Sequence, residues 1–98
     1  MFIALNPVIH PPLRLSIMSL LVLLKEEEFT NIQVLTHATA GNISIQLKKL
    51  KKAEYIEIIK KFKDNYPMTV CKITPKGLQA FDEYVTALKS YIELEPGI

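Results

Sequence analysis

From Leu13 to Leu24 nearly every position is apolar, broken only by Arg14, Ser16 and Ser19. A helix that is apolar on most faces is buried on most faces. One small core cannot cover every side of such a helix, so a second surface, supplied by a partner subunit, is expected. Pro12 suits the first position of this helix, and the three prolines between Pro7 and Pro12 keep the preceding segment extended or in a short turn. The stretch KEEEF, residues 25–29, ends it. Thr30-Asn31-Ile32-Gln33 then has the form of a capping box, with Phe29 as the staple before it. Ile32 and Leu35 predict a short second helix. After HATAGN, Thr39 can cap a third helix, in which Ile43, Leu47 and Leu50 fall at i, i+4 and i+7 and share one face as far as about Lys52.

The period changes after Tyr55. YIEIIKKF and TVCKIT are β-branched and aromatic stretches separated by KDNYPM, and they predict an antiparallel hairpin. Thr74-Pro75 restarts a helix, threonine as cap and proline in the first turn. Gly77 in that turn costs about 1 kcal/mol relative to alanine. Leu78, Phe81, Val85, Leu88 and Ile92 then alternate in steps of three and four, the spacing of a coiled-coil seam, flanked by Tyr84 and Tyr91. The order is helix, helix, helix, hairpin, helix. The fold class is therefore α+β and mostly helical: a winged helix-turn-helix of three helices and a β-hairpin wing, with a long C-terminal helix.

Composition narrows the picture. At 98 residues, 49% hydrophobic and 22% charged, the chain is expected to form one globular domain over 1–98. Its winged-helix core would span about 26–74. The helices at about 12–25 and 75–94 would serve dimerisation through Leu13, Ile17, Leu21, Phe81, Tyr84, Val85, Leu88, Tyr91 and Ile92. A single cysteine cannot form an internal disulfide. LSIMSLLVLL is too short and too interrupted to span a membrane, and it lacks the flanks of a signal peptide, so a cytoplasmic protein is expected.

The net charge of +2 hides an asymmetry. Residues 39–63 carry seven lysines against Glu54 and Glu57, a local charge of +5, whereas the rest of the chain sums to −3. Such a basic middle favours an anionic partner, although a lysine-rich solvated face would look the same on charge alone. Position distinguishes the two. In a winged helix the third helix enters the DNA major groove and the hairpin lies along the backbone.

The segments NPVIHPPLRLSIMSLL, TAGNISIQLKKLKKAEYIEI and ITPKG resemble the small single-domain winged-helix transcriptional regulators of the MarR and ArsR type. The most specific part is Gly41-Asn42-Ile43-Ser44 with Leu47 and Leu50. The resemblance implies that the amino-terminal half of the third helix reads double-stranded DNA, while the apolar first helix and the seam of the last one favour a homodimer. With Ile43, Leu47 and Leu50 turned inward, Lys48, Lys49 and Lys52 face outward and can reach phosphates. Asn42, Ser44 and Gln46 are the candidates for base edges, Ile45 for a thymine methyl, and Thr39 lies at the helix start. Lys61 and Lys63, with Lys60, carry the charge of the wing. Relatives often have a histidine where Gln46 stands and a glycine where Glu54 precedes Tyr55. Their wing tips are typically rich in glycine and arginine, whereas this chain has Lys63-Asp64-Asn65-Tyr66-Pro67-Met68. Arg14, the only arginine, lies on the first helix, so bidentate reading of guanine by arginine is not expected.

Other chemistry finds little support. Cys71 sits in a predicted strand and is read as a packed thiol. His10 and His37 lack metal-ligand spacing, and the paired cysteines of metal-sensing ArsR relatives are missing, so no metal or other cofactor is expected. Glu26, Glu27 and Glu28 read as a solvated helix end. No phosphate loop or nucleophile–base pair is present, and no enzymatic activity is expected. The alternative function is a winged-helix protein-interaction module that no longer binds DNA. Double-stranded RNA fits poorly, because its deep, narrow major groove does not admit a helix. The residues name no small-molecule effector.

Overall fold

The computed structural model describes residues 1–94. The elements follow in the order α1 (Pro12–Leu24), β1 (Glu26–Glu28), α2 (Phe29–Thr36), α3 (Ala40–Lys52), β2 (Ile56–Lys63), β3 (Tyr66–Ile73) and α4 (Pro75–Ile92). This is the winged helix-turn-helix arrangement, mostly helical and closed by a long C-terminal helix. The core is one cluster built from Ile17, Met18 and Leu21 of α1, Ile32 of α2, Ile43, Leu47 and Leu50 of α3, and Ile56, Cys71 and Ile73 of the sheet. Ser16 and Ser19 donate their hydroxyls back to the carbonyls of Pro12 and Leu15, which lets α1 carry them without leaving polar groups unpaired.

The sheet has three antiparallel strands in the order β1-β3-β2, not a hairpin alone. Glu26, Glu27 and Glu28 pair with Lys72, Cys71 and Val70, so the acidic stretch that the pattern placed at a helix end is an edge strand. The helix stops one residue earlier because Lys25 turns into the left-handed region at φ 72°. The capping box at Thr30 does not form. Phe29 is already helical, and Glu28 stands at the cap position without a side-chain bond to the helix. At the wing tip the strands run closer to the turn than their composition suggested. Lys63 pairs with Tyr66, and only Asp64 and Asn65 lie between them, both with positive φ. Two such residues make a type I′ turn, whose twist suits a hairpin and which asparagine and aspartate tolerate. Pro67 sits opposite Phe62 in the pair next to the turn-closing one. Antiparallel alternation makes that a non-hydrogen-bonded pair, so the missing N–H costs the ladder nothing there.

Two predicted caps are realised: Thr39 accepts from the Asn42 amide at 3.2 Å, and Thr74 from the Gly77 amide at 2.9 Å. Thr74 also donates its hydroxyl to the Glu54 carbonyl at 2.7 Å, and its amide donates to the Tyr55 carbonyl at 3.1 Å. This junction docks α4 on the loop between α3 and β2, and it explains Gly77. A Cβ there would stand 2.1 Å from the Tyr55 carbonyl oxygen. Glu54, at φ 66°, occupies a conformation that favours glycine.

The inward face of α4 is Gly77, Ala80, Tyr84 and Ala87. The seam of Leu78, Phe81, Val85, Leu88 and Ile92 lies one residue round the helix, with Leu78 and Ile92 exposed and the other three half-buried. The N-terminal segment runs along α4. Ile3 accepts from the Tyr91 hydroxyl and donates to Ser90, Phe2 stacks on Tyr91, and His10 meets the Tyr84 hydroxyl at 3.0 Å. The molecule measures 61 × 26 × 20 Å, with a radius of gyration of 15.3 Å. A compact chain of this length would have about 13 Å, so part of the fold stands away from the core.

Ile17 and Leu21 are fully buried within their own chain and Tyr84 nearly so. A partner would not reach them. The expected pairing surface on the end helices therefore reduces to Leu13, Phe81, Val85, Leu88, Tyr91 and Ile92.

Candidate nucleic-acid interface

The candidate site is the outer face of α3 with the adjoining face of the wing. Ile43, Leu47 and Leu50 anchor the inner side of α3 in the core. Successive side chains turn by ~100°. The opposite side therefore carries Gly41, Ile45, Lys48 and Lys52, all exposed. Asn42 and Lys49 flank it towards α1. Ser44 flanks it towards the wing and, with Lys48, Ile58, Lys60 and Thr69, lines a groove between α3 and the sheet.

Electrostatics set this face apart. α3 has four lysines and no acid, and among the described residues none of the four has a carboxylate within ion-pair distance. Its last-turn lysines also suit the negative end of the helix dipole. The helix start leaves amides free of intrahelical partners, one of which Thr39 satisfies. The face as a whole offers donors and positive charge and, at Ile45, 53% exposed, one apolar contact.

The residues singled out from the sequence have unequal places. Asn42, Ile45, Lys48, Lys49 and Lys52 lie exposed on the helix, Ser44 half-buried beside the wing, and Thr39 exposed at the cap. Gln46 is turned towards α1: its Oε1 accepts from Arg14 at 2.7 Å, and its Nε2 donates to Asn42 Oδ1 at 2.9 Å. On β2 side chains alternate between faces. Ile58 and Lys60 look towards α3, whereas Lys61 and Lys63 belong to the other face. Lys61 lies 3.7 Å from Glu26 in a half-exposed ion pair. Lys60, held by a bond to Thr69 at 3.1 Å, is thus the wing lysine nearest α3. The alternation of β2 was the signal for it. Gly41 is a residue the sequence reading left without a role. A Cβ there would meet nothing within 4 Å and its φ is not positive, so the fold itself does not require glycine.

Cys71 is buried, and burial pushes its thiol up to about 11, opposed in part by the nearby Lys60 ammonium. It is a packing residue. Among the described residues no cluster of histidine, cysteine or acidic side chains could hold a metal, and no helix is long and apolar enough to cross a membrane.

Residues 13–92 match the family model of a winged helix DNA-binding domain. An uncharacterized protein from Methanocaldococcus jannaschii is 35% identical over 72 residues, covering 74% of this chain and 78% of its own. Among solved structures, a transcriptional regulator homologue from Pyrococcus horikoshii superposes with a TM-score of 0.83 at 28% identity, over 88% of this chain and 85% of that one. NadR in complex with 4-hydroxyphenylacetate superposes with a TM-score of 0.72 at 15% identity, over 89% of this chain and 64% of that one, a likeness of fold alone. The match to the family model spans most of the chain and includes α3 and the wing. This chain is a small winged-helix protein and belongs to the winged helix DNA-binding domain family.

Proposed function

We propose that the protein is a transcriptional regulator that binds promoter DNA as a homodimer through α3 and the wing. The observation that carries this reading is the set of four lysines on α3 without a carboxylate partner among the described residues. A merely solvated helix gains from acids placed three or four residues from its lysines. Here the charge is left uncompensated on the one helix that a winged helix presents to DNA. Lys48, Lys49, Lys52 and Lys60 bind phosphates, Asn42 and Ser44 face base edges, and Ile45 offers a thymine methyl its apolar contact. Gly41 leaves room at the helix start for the sugar-phosphate backbone. Docking two copies along the α4 seam would bury Phe81, Val85, Leu88 and Ile92, which their own chain leaves partly open. Such a dimer places two α3 helices about 34 Å apart, on successive major-groove faces, and blocks access to a promoter sterically.

The test is a salt titration of binding to random-sequence duplex DNA. Affinity should fall linearly on logarithmic axes, and Lys48→Ala with Lys49→Ala should flatten the slope by about 2 for each bound chain. The other reading, a protein-interaction module, draws on the wing tip, where Phe62 and Tyr66 are about three-quarters exposed beside Asp64. Absence of duplex binding at low salt would favour it and sink the regulator.

A further inference from the structure

The three polar side chains that join α1 to α3 form a directional relay. Arg14 spans between elements. Its Nε donates to the Val8 carbonyl at 2.6 Å, one Nη to the Pro7 carbonyl at 3.4 Å, and the other Nη to Gln46 Oε1 at 2.7 Å. A guanidinium only donates, so the Gln46 oxygen must face it and the Gln46 NH2 must face the other way. That NH2 meets Asn42 Oδ1 at 2.9 Å. An amide bonded through its oxygen on one side presents its NH2 on the other. The relay therefore decides which end of Asn42 faces outward, and hydrogen-bonding chemistry fixes the order of atoms independently of how an amide is drawn. Among the described residues the Asn42 NH2 has no partner, and Asn42 is exposed on the α1 flank of the DNA-facing surface.

We infer that Arg14 is a positioning residue for sequence reading: through Gln46 it fixes Asn42 as a hydrogen-bond donor aimed into the major groove. This rests on the DNA-binding reading above and deepens it. A free asparagine pairs with adenine through both ends, giving a proton to N7 and accepting one from N6. Here the accepting end is turned to Gln46, which takes one of its two lone pairs and holds it away from the position adenine needs, so that pairing is weakened. Two N–H groups match two acceptors, and guanine supplies them as O6 and N7. Asn42 therefore prefers guanine to adenine at the base pair it meets. The lone arginine takes part in recognition from behind the reading helix, without touching the DNA.

Two variants and two readouts test the relay. In the free protein, nuclear magnetic resonance should show slow exchange of the Arg14 Nε proton and the Gln46 side-chain amide, and fast exchange at Asn42. In Arg14→Met, which keeps the apolar stem, the Gln46 amide should exchange fast as well. Fast exchange at both groups in the wild type overturns the relay whatever the DNA result. On DNA, selection from randomised duplexes should give the wild type one guanine-preferring position that Arg14→Met relaxes about fivefold, the worth of one hydrogen bond. Gln46→Glu keeps the contact to Arg14 but turns an acceptor to Asn42, which must flip and present its oxygen. Preference at that position should then move to cytosine or adenine, which carry exocyclic donors, an outcome that loss of packing does not produce. Unchanged preference in both folded variants overturns the assignment. Failure of the wild type to bind any duplex overturns it together with the regulator reading, whereas relay failure with intact binding overturns this inference alone.

Discussion

Replacing Gly77 by alanine tests the junction on which α4 is mounted. The added Cβ would lie 2.1 Å from the Tyr55 carbonyl oxygen and needs about 1.3 Å of movement to regain an ordinary 3.4 Å contact. The opposing atom is backbone, fixed by its bond from the Thr74 amide, so the relief must come from displacing the start of α4. That displacement strains three short bonds at once: Thr74 to Glu54, Thr74 to Tyr55, and the cap to Gly77. Overpacking of this kind costs about 1–3 kcal/mol, and each weakened hydrogen bond about 1 kcal/mol. The better helix propensity of alanine returns about 1 kcal/mol. The net loss is about 4 kcal/mol, which lowers the midpoint of thermal unfolding by roughly 16–32 °C in a domain of this size. Circular dichroism melts of the two proteins at equal concentration measure it. Gly41→Ala is the control, because no atom lies within 4 Å of its new methyl group. It should gain up to about 1 kcal/mol in stability and, if the regulator reading is right, lose duplex affinity. A Gly77→Ala protein as stable as the wild type would refute the close approach of α4 to Tyr55.

Three further outcomes are expected. Lys60→Ala should reduce the salt dependence of duplex binding by about 1 for each bound chain, whereas Lys61→Ala, whose lysine is paired with Glu26 on the other face, should leave it nearly unchanged. Raising the pH from about 9 towards 11 should destabilise the fold, because the unfolded thiol ionises near 9.0 while burial keeps Cys71 protonated to about 11. That part of the alkaline loss, read from urea unfolding at a series of pH values, should vanish in Cys71→Ala. Leu88→Glu places a charge in the α4 seam and should convert a sedimenting dimer to a monomer, and a wild-type monomer would contradict the dimeric reading.

The parts of the fold visible in the sequence are those set by local rules. The spacing of Ile43, Leu47 and Leu50 marks the inner face of α3, and Thr39 and Thr74 mark helix starts, because both signals depend on a few consecutive residues. β1 was hidden because three glutamates have no strand preference of their own; pairing with β3 makes them one. Pro67 suggested a long loop, yet it lies where its missing N–H faces outward. On α4 two stripes one residue apart were available. The seam is the more apolar of the two, whereas the chain buries the stripe of Gly77, Ala80, Tyr84 and Ala87, whose small residues allow close approach. The outer face of α3 followed from its inner one. The orientation of Gln46 did not, since its partner Arg14 lies 32 residues away and only tertiary contact brings the two together.

In the proposed function α3, flanked by Lys60 and Thr69, is the surface that meets DNA. Mapping amide shift changes by nuclear magnetic resonance, as a short random-sequence duplex is added at low salt, tests it residue by residue. The largest changes should fall between Thr39 and Lys52 and at Lys60 and Thr69, and should fade as salt is raised. Changes centred on the α4 seam or on Glu26–Glu28, or no change at all, would contradict it.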